Sequence, residues 1–456
     1  MPPIAPKEVT TKTCGLHAAR LNLADYAANF ADAHPRLTHA QAMIESERCY
    51  YCYDAPCTAA CPTGIDIPTF IQRIAQENNR GAAKTILEAN PLGGMCARVC
   101  PTEVLCEQAC VRNSNEEKPV EIGALQRYAT DMYFANPGQP LFTRAPSSGF
   151  RVAVVGAGPA GLACAHTLAR NGHSVELLEA NDKLGGLNEY GLATYKTAGN
   201  FAQQEIAWLL SIGGITAHCN QQLGRDFSLE QLLENHDAVF LALGLQGVNA
   251  LGTSAPDIPG IANAVDFIAE LRQADDPAKV PVGRRVVVIG GGMTAVDAAV
   301  QARLLGAEEV TIAYRRGAQA MSASTVEQEW ALTHGVNIRH WASPKEILSD
   351  SGQLAGVRFA GTAMQQGHLV ETGEDFVLQA DMLLKAIGQN FIKEPVGAQI
   401  ALQDGRIRTD EDGHTSHPRV WAGGDCRAGG RDLTVEAVEH GKRAALSINN
   451  ALRNRA

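Results

Sequence analysis

Residues 151–179 read Arg151-Val-Ala-Val-Val155-Gly156-Ala-Gly158-Pro159-Ala160-Gly161, then an alanine-rich run to Arg170, then Ser174-Val-Glu-Leu-Leu178-Glu179. An apolar, β-branched run ends in Gly-x-Gly-x-x-Gly. A helical pattern follows, and a second apolar run ends in an acid. That order is the βαβ dinucleotide-binding unit. Gly156, Gly158 and Gly161 allow a tight turn, and Pro159 and Ala160 open the helix. Backbone N–H groups can then approach a pyrophosphate at the helix N-terminus. Glu179 stands where an acid accepts hydrogen bonds from ribose hydroxyls. A lone glycine motif is weak. Strand, helix, strand and acid in sequence are specific. The following Lys183-Leu-Gly185-Gly186-Leu187 either brings more backbone to the same ligand or is a plain loop, and the motif alone leaves both open.

The unit recurs downstream. Arg285-Val-Val-Val-Ile289 is a strand pattern, and Gly290-Gly291-Gly292-Met-Thr294-Ala295 is the turn. Val296–Leu305 reads as the helix and Val310–Ala313 as the second strand. The acid's place is taken by Tyr314, followed by Arg315 and Arg316. Two guanidiniums there suit a 2′-phosphate, which favours NADPH over NADH. The plain alternative is a pair of solvated charges at a strand end. Two dinucleotide units in one chain imply a flavin plus a nicotinamide.

Upstream of Pro/Gly/Ser-rich breaks at 136–140 and 145–149 the composition changes. Eight of the twelve cysteines fall between 49 and 110. One group is Cys49-x2-Cys52-x4-Cys57-x3-Cys61-Pro. The other is Cys96-x3-Cys100-Pro-x4-Cys106-x3-Cys110. Short spacings followed by proline suit iron–sulfur clusters. A disulfide framework belongs to small secreted domains. Structural zinc asks for regular C-x2-C knuckles, and Cys49–Cys52 alone has that spacing. Taken by groups, the simple expectation is one cluster each, with Cys96–Cys110 supplying four thiolates. Helical periodicity covers about 21–46, 67–76, 80–89 and 122–134. Residues 1–13 read as a disordered lead. Cys14, Cys164, Cys219 and Cys426 are scattered and read as small core residues or surface thiols.

Composition adds limits. The chain has 456 residues, 45% of them hydrophobic, with a net charge of −10. Such a balance does not point to nucleic acid or an anionic membrane as partner. The N-terminal residues lack a signal-peptide core, and a cytoplasmic location is expected, where thiols stay reduced.

Further motifs carry a resemblance. Val420-Trp-Ala-Gly-Gly424-Asp425 resembles the strand and aspartate with which two-dinucleotide-binding flavoproteins hold the FAD ribityl chain. Asp432-Leu-Thr434-Val435 opens a helix aimed at the flavin. Val239–Gly244 and Leu383–Gly388 resemble the two linker strands of such proteins. With Asn90-Pro-Leu-Gly, the cysteine spacings and Ile122-Gly-Ala-Leu-Gln126, nearly the whole chain resembles the NAD(P)H-oxidising FAD/iron–sulfur half of dihydropyrimidine dehydrogenase, a separate subunit in bacteria. The glutamate synthase small subunit shares the architecture but typically has a shorter second cysteine spacer.

The resemblance implies a multidomain fold. An all-α iron–sulfur domain (1–146) is followed by a discontinuous Rossmann-like FAD domain (147–250 and 389–456). An NAD(P)H domain (251–388) is inserted into it. Two 4Fe-4S clusters are implied with interleaved ligands: Cys49, Cys52, Cys57 and Cys110 for one, and Cys61, Cys100, Cys106 and the Gln126 side-chain oxygen for the other. Electrons would pass from NAD(P)H through FAD and the clusters to an FMN-containing, pyrimidine-reducing partner in a hetero-oligomer. No catalytic acid or base stands out, since cofactors carry the hydride chemistry. No Cys-x-x-Cys lies in the two dinucleotide domains to run a disulfide relay. Two alternatives remain: the same module serving a glutamate-synthase-like partner, and a non-catalytic scaffold with structural zinc.

Overall fold

The computed structural model describes residues 15–252 and 258–454. The expected lead at 1–13 and Cys14 lie outside the described residues. The first sheet is parallel, with strands in the order Val420–Ala422, Ala238–Leu241, Arg151–Val155, Ser174–Leu178 and Ile215–His218. Val152, Val154, Leu177, Val239 and Phe240 are buried, as strands covered on both faces require. Val155, Leu178 and Leu241 pair in register, so the strands end together at the carboxyl edge where such sheets take ligands. The helices Pro159–Arg170 and Thr434–Arg453 pack closely against each other. A Cβ at Gly441 would stand 2.1 Å from Ala160 O, so only glycine fits.

The second sheet is also parallel, ordered Ile261–Asn263, Met382–Ala386, Arg285–Gly290, Glu309–Tyr314 and Asn337–His340. Beside it an antiparallel sheet joins Ala342–Asp350, Gln353–Gln365 and His368–Gln379. Its hairpin turns, Ser351-Gly352 and Gln366-Gly367, have positive φ at both residues, the hand that matches strand twist.

The cysteine-bearing region is helical. Helices Ile67–Ala75, Asn79–Ala89 and Ile122–Ala135 lie within two residues of their periodicities. Asp66 caps the first of these, accepting from Thr69 N–H at 3.1 Å. Their shared core is Phe70, Ile71, Ile74, Ile86 and Leu125, and Cys49, Cys57, Cys61, Cys106 and Cys110 pack against it. Among the described residues no helix is long and apolar enough to cross a membrane.

The chain forms two compact units, Ala31–Asn249 with the segment from Gly388 onward, and the segment up to Phe30 with Ala250–Ile387. Two expectations are corrected here. Residues 15–30, expected in the helical domain, belong with the second sheet's unit. Asn29 Nδ2 donates to Leu304 O at 2.8 Å, and His17 bridges to Val282. Periodicity shows that helix Leu23–Asn29 forms, not what it packs against. The second correction concerns the linkers. Val239–Leu241 and Leu383–Ala386 are interior strands; Leu383–Gly388 does reach the crossing at Ile387/Gly388, but Val239–Gly244 ends short of the one at Asn249/Ala250. The two-stranded ribbon is Gly247–Val248 with Gln389–Asn390. It is too short and polar to leave a hydrophobic pattern.

Candidate redox-cofactor sites

Four thiols from two distant segments meet. Cys49, Cys52, Cys57 and Cys110 line one cavity, about 370 Å³ and partly open, with Ile67, Ile71 and Ile122 in its walls. Burial pushes the Cys57 thiol up to about 11, with Cys49 and Cys110 as further neighbours. Cys49 is raised by the same cause. Cys61 lies instead within electrostatic range of Cys100 and Cys106. Cys100 is raised by its hydrogen bond to Cys96 and then by burial, and Cys106 is raised by burial. Thiols of the two sequence groups therefore meet: Cys110 with Cys49, Cys52 and Cys57, and Cys106 with both Cys61 and Cys57. Gln126 is buried, and its Nε2 donates to Gly93 O at 2.7 Å. That leaves Oε1 as the acceptor atom of this amide. Among the described residues no three His, Cys, Asp or Glu side chains are placed to hold a single metal ion.

At the first sheet's carboxyl edge, the glycines work as a set. Gly156 has φ +95°, and a Cβ on it would meet Ala242 O at 2.2 Å. A Cβ on Gly161 would stand 1.8 Å from Gly156 O. Gly186 has φ +54° and runs so close to Gly158 that a Cβ there would lie 2.7 Å from its Cα. Gly185 and Gly186 thus face the turn with bare backbone, and Leu187 begins the short helix behind them. Glu179 is buried. Its carboxylate accepts Ala157 N–H at 2.8 Å and Asn181 N–H at 2.9 Å, which holds the turn beside the acid. Gly424 approaches Ala160 and puts Asp425 at the same edge, near Gly244. Burial, then the nearby Asp432, pushes the Asp425 carboxyl up to about 6. Thr434 Oγ1 bonds Asn188 Oδ1 at 2.9 Å, and Val435 is buried at the start of the last helix. These donors and bare backbone fit a dinucleotide with a polar sugar chain.

The second unit's turn is similar. Gly290 has φ +151°, and a Cβ on it would meet Ala386 O at 2.1 Å. The Tyr314 ring fills the space a Cβ on Gly291 would need, and Ser322 flanks Gly292. Ala295 is buried and Thr294 half-buried on the helix Met293–Leu304. Arg315 and Arg316 are exposed, and neither is ion-paired among the described residues. Gly388 sits at the ribbon with φ +88°. Cys164 and Cys426 are buried, and Cys426 Sγ lies 3.2 Å from Gly423 O; no disulfide forms among the described residues.

Sequence reading overlooked Leu92, Glu205, Asn188 and Lys442. The Asn90-Pro-Leu-Gly motif was a signal for the first. A glutamate in an ordinary helical pattern carries none.

Known proteins resemble this chain in both its cysteine-bearing and its dinucleotide-binding regions. Residues 26–137 match the family described as dihydropyrimidine dehydrogenase domain II, 4Fe-4S cluster. Residues 150–441 match pyridine nucleotide-disulphide oxidoreductase. The chain is 33% identical over 420 residues to the NAD-dependent dihydropyrimidine dehydrogenase subunit PreT of Escherichia coli (strain K12), spanning 92% of this chain and 96% of that protein. It is 32% identical over 446 residues to the NADPH glutamate synthase small chain of the same organism, spanning 93% and 94%. Mycobacterium tuberculosis FprA in complex with NADPH shares the fold, with a TM-score of 0.57 at 20% identity over 68% of this chain and 85% of that one. The chain therefore belongs to the family of iron–sulfur, NAD(P)-linked oxidoreductases that includes the dihydropyrimidine dehydrogenase subunit PreT and the glutamate synthase small chain.

Proposed function

We propose that this chain is the electron-input subunit of a dihydropyrimidine dehydrogenase. The carrying observation is the cavity on which Cys49, Cys52, Cys57 and Cys110 converge, within the same compact unit as the Gly156–Glu179 cradle. Zinc at Zn–S about 2.3 Å needs its sulfurs within about 3.8 Å of one another. Among the described residues the thiols are not grouped for one ion. They suit a larger cluster, and Cys61, Cys100, Cys106 and Gln126 Oε1 suit a second. Bound together, FAD and two 4Fe-4S clusters would supply hydride acceptance and one-electron relay. The protein's part is placement. Gly156, Gly158, Pro159, Ala160, Gly161 and Gly186 present backbone to the flavin's pyrophosphate, and Glu179 its ribose contact. Asp425 and the Thr434–Val435 helix start hold the flavin end. Gly290–Gly292, Thr294 and Ala295 cradle the nicotinamide nucleotide, with Arg315 and Arg316 on a 2′-phosphate.

The expected partner is an FMN-containing, pyrimidine-reducing subunit. The test is anaerobic uracil-dependent oxidation of NADPH and NADH by the chain alone and by the chain copurified with such a partner. Activity in the pair only is the expected result. The glutamate synthase likeness favours a second reading, the same module feeding a glutamate-forming subunit. A silent pyrimidine pair with intact NAD(P)H-to-dye activity would select it.

A further inference from the structure

One segment of the helical region is built into the flavin-binding sheet. Leu92 is 1% exposed and shares a core with Val152, Val154, Ala157 and Ala160. Those residues form the strand and turn of the dinucleotide cradle. Gly93 and Gly94 follow, and a Cβ on Gly94 would lie 2.5 Å from the Phe201 ring. The helix Gly93–Val99 then leads directly to Cys100.

Polar contacts hold both ends of this loop. At its start, the Lys442 ammonium, from the last helix of the flavin domain, donates to Ala89 O. At its end stands Glu205, from helix Phe201–Leu210, with no solvent exposure. One carboxylate oxygen accepts Gly94 N–H at 2.7 Å and the other accepts Met95 N–H at 3.1 Å. Between them, Gln126 Nε2 holds Gly93 O. Arg98 donates to Gly94 O at 3.0 Å and lies over the Phe201 ring. A buried carboxyl group is expensive unless its hydrogen bonds are made, so this one depends on both partners. Asn90 is fully buried, and its Nδ2 has no acceptor among the described residues, which leaves a donor for an atom of a bound group.

We propose that Glu205 is a positioning residue for electron transfer: it holds the Asn90–Met95 loop, and with it Cys100, at a fixed distance from the flavin cradle. This rests on the reading of the chain as a flavin-to-cluster relay. Electron tunnelling falls steeply with distance, so a loosened loop slows the second step without touching the first. Among the described residues Glu205 makes its hydrogen bonds to Gly94 and Met95 and none to the Gly156–Glu179 cradle. The domain contact also has an independent support, because Trp208 Nε1 bonds Tyr133 OH at 3.0 Å within a cluster of edge-to-face rings.

The experiment compares wild type, Glu205→Ala and Glu205→Gln, each loaded with flavin and iron. Flavin bleaching by NAD(P)H is followed in stopped flow, and cluster reduction by freeze-quench EPR. Hydrogen exchange is read in the peptide covering residues 90–99. Glu205→Ala should bleach its flavin at the wild-type rate and reduce its clusters on the order of tenfold more slowly. Exchange at Gly94 and Met95 should rise by on the order of tenfold, from the loss of two buried hydrogen bonds. Glu205→Gln keeps one acceptor and should recover part of both. If Glu205→Ala does not retain its cofactors, Gly94→Ala disturbs the same contact from the loop side and should give the same split. Unchanged cluster reduction and exchange, or flavin and cluster steps slowed together, would overturn the proposal. Wild-type flavin that bleaches while no cluster is ever reduced would overturn the relay reading itself, and that failure is visible before any variant is made.

Discussion

His166 shows how one buried side chain sets a pH limit. Its ring is stacked on Trp208, and its Nδ1–H donates to Leu209 O at 3.0 Å. Burial holds it neutral, with the pKa lowered to about 4. Below pH about 6.5 the unfolded chain takes up a proton that the folded ring refuses until about 4. Stability from this group is therefore full above 6.5 and is lost as the pH falls towards 4, on the order of 3 kcal/mol. His166→Phe keeps the aromatic packing and removes the titration. Its melting temperature, measured from pH 7 to 4.5, should fall less steeply than that of wild type. At the same scale, replacing Arg315 and Arg316 by Ala should raise KM for NADPH about tenfold and leave KM for NADH nearly unchanged, since only a 2′-phosphate needs them. Equal effects on both coenzymes would reject that role.

Among the elements, the glycine turn separates folding from binding. Gly161 has no room for a Cβ, because the helix Pro159–Arg170 starts against the Gly156 carbonyl. Gly161→Ala should destabilise by about 2 kcal/mol and lower the melting temperature of the flavin-free protein. Gly158 differs. Its φ is −71°, and the nearest atom to a Cβ would be Gly186 Cα at 3.9 Å. Gly158→Ala should melt like wild type when flavin-free and bind FAD more weakly, because under the proposed function the methyl would stand where backbone meets the pyrophosphate. Flavin titration beside a melting curve distinguishes the two.

For the molecule as a whole, the arrangement of thiols makes a prediction that sequence order does not. Cys110 faces the cavity of Cys49, Cys52 and Cys57. Cys57→Ser and Cys110→Ser should therefore lose the same EPR signal, while Cys61→Ser and Cys106→Ser should lose the other. Grouping by sequence would instead pair Cys110 with Cys100. Wild type should carry about eight irons per chain with matching acid-labile sulfide. Iron near zero in a folded, flavin-loaded protein would return the thiols to a structural role.

Local chemistry makes much of this protein legible in its sequence. The Gly156–Gly161 and Gly290–Ala295 turns are short-range objects, because strand, turn and helix follow one another within 30 residues and steric demands pick the glycines. Helix periods were legible for the same reason. The cysteine spacings marked a multi-thiol site. Tertiary structure alone decided which distant segments meet. It put residues 15–30 beside the second sheet, placed the two-stranded ribbon at Gly247–Val248 and Gln389–Asn390, and brought Cys110 to Cys49, a pairing that spacing left open and only the family resemblance implied. It also turned Glu205 into a buried partner of Gly94 and Met95. In sequence Glu205 is one more polar residue in an amphipathic helix. Its role depends on a loop about 110 residues away, and no local propensity encodes a contact of that separation.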